Sequence, residues 1–196
     1  MTSLIVGCSG AYKIGKKIAE KLRKPYSRLN IEKFPDNELH IGFNVSLKGK
    51  KVFLVQSFFK DISDKILETL FAAQTAKELG AKKIVLIAPY FPYLRQDKKF
   101  REGEGISAKI IAQLLSSFDK IFIVEPHLHR FKKFEEFFPN ATKISVATAI
   151  KEYIAKNFKD YIIIGPDQES ANWILPISEL LSIKPVSYTH LTLPTN

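Results

Sequence analysis

The sequence predicts an α/β protein: a parallel sheet covered by helices, followed by an incomplete second domain of the same type. Three observations carry that prediction. Short apolar runs rich in β-branched residues recur along the chain, segments of helical period separate most of them, and the runs are apolar on both faces, as strands buried under two helical layers are. Such alternation calls for right-handed crossovers.

"SLIVG" (3–7) reads as the first strand and "YKIGKKIAEKL" (12–22) as the first helix. Between Tyr26 and Ser57 the pattern changes. "RLNIEKF", "ELHIGFNVSL" and "KKVFLVQS" follow one another without a helix, with "PDN" and "KGK" as turns, so a meander or hairpin is expected at one edge. A helix comes next, with Ile66, Leu67, Leu70, Phe71 and Leu79 on one face, Ser63 as N-cap and Gly80 as stop. "KKIVLIAPY" is a buried strand. Ile106, Ile110, Ile111, Leu114, Leu115 and Phe118 define the face of another helix, followed by the strand "DKIFIVEP", the helix "TAIKEYIAKNF" and the strand "DYIIIGP". The domain expectation is 1–145, then 146–186 as the start of a second domain. Residues 187–196, within "VSYTHLTLPTN", have neither charge nor helical period and read as a non-native tail.

The chain has 196 residues, 45% of them hydrophobic and 26% charged, enough for one full core and part of another. No stretch approaches the roughly 18 uninterrupted apolar residues of a membrane span. "IVGC" stands too near the start to follow a signal peptide, so a cytoplasmic protein is expected. One cysteine excludes an internal disulfide and a cysteine zinc cluster; Cys8 reads as a small core residue. Thirty Lys plus Arg against twenty Asp plus Glu give a net charge of +10, which favours anionic partners. Nucleic acid as the partner rests on that charge alone and is not the reading adopted.

Ligands of an open parallel sheet bind beyond the carboxyl ends of its strands. Ser9 and Gly10 follow the first run, and Gln56 and Ser57 the next. "PYFPYLRQDKKFREGEG" follows the third; Glu125, His127, His129 and Arg130 follow the fourth, and Asp167, Gln168 and Glu169 the fifth. Each loop alone could be ordinary polar surface, but five together mark a site. Carboxylates with few nitrogens suit Mg²⁺ better than zinc. Arg95, Lys98, Lys99 and Arg101 precede a helix N-terminus, an arrangement suited to phosphate, and the prolines of "PYFPY" stiffen their mount. Neither G-x-x-x-x-G-K-[ST] nor G-x-G-x-x-G is present, and no Ser/His/Asp or Cys/His arrangement can be defined. The residues themselves point to a phosphate- or nucleotide-binding α/β enzyme using Mg²⁺.

"FPDNELHI", "PYFPYLRQDKKF…GISAK", "VEPHLHR" and "IGPDQES" stand in the order and approximate spacing of the signatures of ribose-phosphate diphosphokinase, the phosphoribosyl pyrophosphate synthetase family. The chain resembles that family over roughly residues 1 to 185, with "PHLHR" and "GPDQES" similar to its archaeal branch. The resemblance implies a phosphoribosyltransferase-like fold and an ATP-binding N-terminal domain. It implies that Phe34, Asp36 and Glu38 contact adenine in a neighbouring subunit's site, and so a homo-oligomer. It implies that Arg95 and Gln96 grip ATP, with Asp97 and Lys99 in the same segment, and that His127 and Asp167 belong to the magnesium site, with His129 beside them. The activity implied is transfer of the diphosphoryl group of Mg-ATP to ribose 5-phosphate, releasing AMP. The family's mobile Lys/Arg loop and its paired-aspartate, Thr-Gly-Gly-Thr loop for ribose 5-phosphate do not occur in this sequence. The chain alone is therefore expected to be inactive; the alternative is a non-catalytic regulatory or associated subunit of the synthetase.

Overall fold

A computed structural model describes residues 2–126, 136–165 and 170–187. They fall into two compact units that divide between Ile144 and Ser145. The first unit contains β1 (Ser3–Gly7), α1 (Tyr12–Leu22), β2 (Tyr26–Lys33), β3 (Leu39–Phe43), β4 (Lys51–Val55), α2 (Ile62–Glu78), β5 (Lys83–Ala88), α3 (Ser107–Leu114), β6 (Lys120–Val124) and β7 (Ala141–Ile144). Its sheet has seven strands in the order β3-β2-β1-β4-β5-β6-β7. Every neighbouring pair is parallel except β2 with β3, an antiparallel hairpin at one edge in which Ile31 faces Ile41.

Strand alternation distributes the core over both faces. Leu4, Val6, Val52, Leu54, Ile84 and Leu86 join one large cluster, whereas Ile5 and Val55 join a smaller one with Ala11 and Ala19 around α1. The large cluster receives Ala72, Ala73 and Ala76 from α2, and Ala108, Ile111 and Leu115 from the α3 region. Gly80 ends the α2 segment at φ +81°, a left-handed position that favours glycine.

Two helix-face expectations need correction. Leu67, Phe71 and Leu79 are more than two-fifths exposed; the buried face of α2 is Glu68, Thr69, Ala72, Ala73 and Ala76, with Ile66 and Leu70 partly buried. Small side chains let this helix approach the sheet closely, which turns the bulkier ones outward. The helix begins at Ile62 after Asp61, so Ser63 is not its N-cap. Likewise Ile111, Leu115 and Phe118 are buried, but Ile110 and Leu114 are about half exposed.

The second unit contains α4 (Ala147–Asn157), β8 (Ile164–Gly165), α5 (Ala171–Leu181) and β9 (Val186–Ser187). β8 and β9 pair in parallel.

Candidate nucleotide site

The parallel strands of the first unit run the same way, so the loops after β1, β4 and β5, and Glu125 and Pro126 after β6, open at one edge of the sheet. The loop after β1 is closed on itself. Cys8 N–H donates to Val55 O at 2.9 Å and Ala11 N–H to Cys8 O at 2.9 Å. Ser9 N–H donates to Glu68 Oε1 at 2.9 Å, and Gly10 N–H to Gln56 Oε1 at 2.9 Å. Glu68 Oε2 also accepts Ser9 Oγ–H at 2.5 Å, and Oε1 accepts Gln56 Nε2–H at 2.9 Å. Gln56 and Glu68 are buried. Burial pushes the Glu68 carboxyl above its ordinary range, against the opposing pull of its bonds from Ser9 and Gln56 and of the Lys65 charge. Cys8, fully buried beneath this loop, has its thiol pushed up chiefly by burial, then by Glu68. The network escaped sequence reading because Glu68 lies 12 and 59 residues from its partners. A carboxylate within a helix also ordinarily signals a solvent face.

The loop after β5 is built differently. Phe91, Pro92 and Leu94 are buried and Tyr93 holds φ +59°, so the "PYFPY" segment is anchored in the core. Phe91 meets Phe58 edge-on at 5.9 Å between ring centroids and Phe138 at 5.4 Å. From this mount Arg95 projects, exposed, and lines a cavity of about 290 Å³ with Ile62, Tyr90, Phe91, Tyr93 and Leu94. Gln96 is half-buried; its oxygen accepts the hydroxyl of Ser107, its amide donates to Glu104 at 3.4 Å, and its carbonyl accepts Ala108 N–H at 3.2 Å. Glu104 also accepts Phe100 N–H at 2.9 Å and Arg101 N–H at 3.1 Å. Asp97 is buried, whereas Lys98, Lys99 and Arg101 are exposed. Among the described residues, none of Arg95, Lys98, Lys99 and Arg101 has a carboxylate within ion-pair distance. The segment thus offers four cationic side chains to an anion.

Phe34, Asp36 and Glu38 lie in the exposed turn between β2 and β3. Phe34 N–H donates to Glu38 O and Asn37 N–H to Phe34 O, both at 2.9 Å, and Asp36 Oδ1 accepts Glu38 N–H at 3.2 Å. The Phe34 ring stands 5.4 Å from that of His40. Glu38 lines a separate cavity of about 350 Å³ with Lys33, Asn37, Leu39, Asp64, Leu67 and Phe71. At the end of β6, Glu125 holds φ +40° and reaches Lys143 at 4.0 Å. His127, His129 and Asp167 lie outside the described residues. Among the described residues no three carboxylate, imidazole or thiol groups gather to hold a metal ion.

A family model of the N-terminal domain of ribose phosphate pyrophosphokinase matches residues 3–118, most of the first unit. The chain belongs to the ribose-phosphate pyrophosphokinase family. It is 33% identical over 178 residues to the ribose-phosphate pyrophosphokinase of Methanothermobacter thermautotrophicus, covering 91% of this chain and 62% of that protein. The Pyrococcus furiosus ribose-phosphate pyrophosphokinase is 32% identical over 189 residues, with 95% of this chain and 64% of the relative covered. The crystal structure of phosphoribosylpyrophosphate synthetase from Mycobacterium smegmatis matches with a TM-score of 0.82 at 25% identity, over 96% of this chain and 65% of that one. The chain therefore spans less than two thirds of the length of these family members. Among the described residues no helix is long and apolar enough to cross a membrane.

Proposed function

We propose that this chain supplies the ATP-binding part of a cytoplasmic ribose-phosphate diphosphokinase. In that reaction the anomeric hydroxyl oxygen of ribose 5-phosphate bonds to the β-phosphorus of ATP. The bond from that phosphorus to the α,β-bridging oxygen breaks, AMP leaves with the oxygen, and the hydroxyl proton passes to solvent. Such a transfer needs alignment and charge stabilisation rather than a protein nucleophile. The observation that carries this reading is Arg95, held by a core-anchored segment and exposed in its own cavity with three further cations close by in sequence.

In this reading Arg95 binds the triphosphate, and the Glu104 and Ser107 bonds hold Gln96 in place beside it. Lys99, with Lys98 and Arg101, adds a positive field, and Asp97 belongs to the same ATP-binding segment, buried within it. Phe34, Asp36 and Glu38 contact the adenine of an ATP bound to a neighbouring copy of the chain. That assignment, taken from the motif match, makes the assembly a homo-oligomer. Magnesium, when bound, neutralises and orients the phosphates. His127, Asp167 and His129 are its proposed ligands from the motif match, with Glu125 as the described carboxylate adjoining that stretch.

Calorimetric titration with Mg-ATP tests the nucleotide assignment. The 196-residue chain is expected to bind, and Arg95→Ala to bind about thirtyfold more weakly, as loss of a charged hydrogen-bonding group costs about 2 kcal/mol. Equal affinity of the two proteins would remove Arg95 from the site. Since the pentose-binding loop does not occur in this sequence, the chain alone is expected to yield no AMP from ATP and ribose 5-phosphate. Steady AMP release in a coupled assay contradicts that expectation.

A further inference from the structure

We propose that Glu68 is a positioning residue for the nucleotide site: its carboxylate ties the residues that follow β1 and β4 to α2 in the arrangement that frames Arg95. The proposal rests on the nucleotide reading above and extends it to a residue that touches no ligand.

Glu68 lies in α2, six residues after Ile62, the residue through which that helix walls the Arg95 cavity. Its two oxygens accept three hydrogen bonds, two from Ser9 and one from Gln56. Gln56 passes the connection to Gly10 N–H. Gly10 in turn is pressed against Ser57, so closely that an added Cβ would lie 2.1 Å from Ser57 O. The next residue, Phe58, donates its N–H to Tyr90 O at 3.2 Å and sets its ring edge against Phe91. Tyr90 and Phe91 are walls of the same cavity. Two routes therefore join Glu68 to the surroundings of Arg95, one along α2 to Ile62 and one through Gln56, Gly10 and the β4 loop to Tyr90.

A purely packing role would be served better by an apolar residue, because burying a carboxylate is costly even when it is hydrogen-bonded. What the carboxylate supplies is three acceptor contacts from one side chain, placed where two loops and a helix meet. Ser9, at the outer end of this network, is exposed, so the network runs from the core to the surface at the edge where these strands end.

The test is titration of the 196-residue chain with Mg-ATP alongside thermal melting of each variant. Glu68→Ala is expected to weaken binding about tenfold by loosening the supporting shell. Glu68→Gln is expected to stay within about twofold of wild type, since its oxygen accepts from Ser9 N–H and Gln56 while its amide donates to Ser9 Oγ. Ser9→Ala, which removes the hydroxyl bond to Glu68 Oε2, is expected to weaken binding about threefold while lowering melting by less than Leu47→Ala does. Leu47→Ala, a cavity in the core away from the network, serves as the stability control: it lowers melting and leaves affinity at the wild-type value. Wild-type affinity in both Glu68→Ala and Ser9→Ala overturns the proposal, and so does parallel loss of affinity in Leu47→Ala. Should Glu68→Ala fail to fold, Ser9→Ala and Glu68→Gln decide. No binding by the wild-type chain instead overturns the nucleotide reading, and this proposal with it.

Discussion

The loops after β1 and β5 open at one edge of one sheet and use their polar groups in opposite ways. In residues 8–11 all four backbone N–H groups are committed: to Val55, Glu68, Gln56 and Cys8. The β1 loop therefore has no backbone donor left for a phosphate, although a glycine-containing turn between a strand and a helix is where a phosphate cradle is often found. In residues 95–101 the cationic side chains face outward, while Glu104 and Ser107 bond the loop from within. On the proposed nucleotide reading, anion recognition falls to side chains rather than to backbone, and to the third of these strand ends rather than the first. The missing G-x-G-x-x-G signature has a structural counterpart: the amides it would present are already used.

This contrast can be broken most forcefully at Gly10. Alanine there would place a Cβ 2.1 Å from Ser57 O and 2.7 Å from Gln56 Oε1. A loss of about 3 kcal/mol is expected, a fall in Tm of roughly 10 °C in a calorimetric scan. An unchanged melting temperature would mean that the β1 loop is not the rigid element described.

The β5 loop should answer in a different measurement. Lys98→Ala and Lys99→Ala are each expected to weaken Mg-ATP binding by about two- to threefold and to flatten its dependence on salt, with melting unchanged. Titrations at low and high ionic strength check this; salt slopes identical to wild type would place both lysines outside the anion's field.

The smallest effect sharpens the comparison from the other side. Because the folded-state pKa of Glu68 lies above its ordinary value near 4.5, folding favours its protonated form. The stability penalty is absent below the unfolded-state value, grows as pH rises toward the folded-state value and is full above it. Glu68→Gln, which has no charge to bury, is expected to be slightly more stable than wild type at neutral pH, with the advantage disappearing near pH 4. Chemical denaturation across pH 4 to 8 reads this directly; an advantage that grows on acidification would reverse the assignment.

Much of the architecture was legible because buried parallel strands leave an unmistakable trace, as "SLIVG" and "KKIVLIAPY" do. β7 was not, since "ATKI" carries two polar residues in four and its partner, β6, lies more than fifteen residues earlier. The face of α2 was misread for a related reason: large apolar residues were expected inside, but the close contact with the sheet goes to alanines. The exposed, rigidly mounted position of Arg95 was legible from its stiff apolar lead-in and its basic neighbours. The Ser9–Gln56–Glu68 cluster was not, because each member is unremarkable until the fold joins them.

The four committed amides of residues 8–11 have a consequence on the timescale of minutes to hours. Irregular loops ordinarily trade their amide protons with solvent quickly, but an amide whose acceptor is a buried carboxylate, a buried glutamine or a sheet carbonyl must wait for that bond to open. In deuterium-exchange experiments Cys8, Ser9 and Gly10 should retain hydrogen alongside the β1 and β4 strands, and Gly103, whose amide has no acceptor among the described residues, should lose it at once. By that clock the turn after β1 belongs to the sheet, and the open surface of the site begins at the loop after β5.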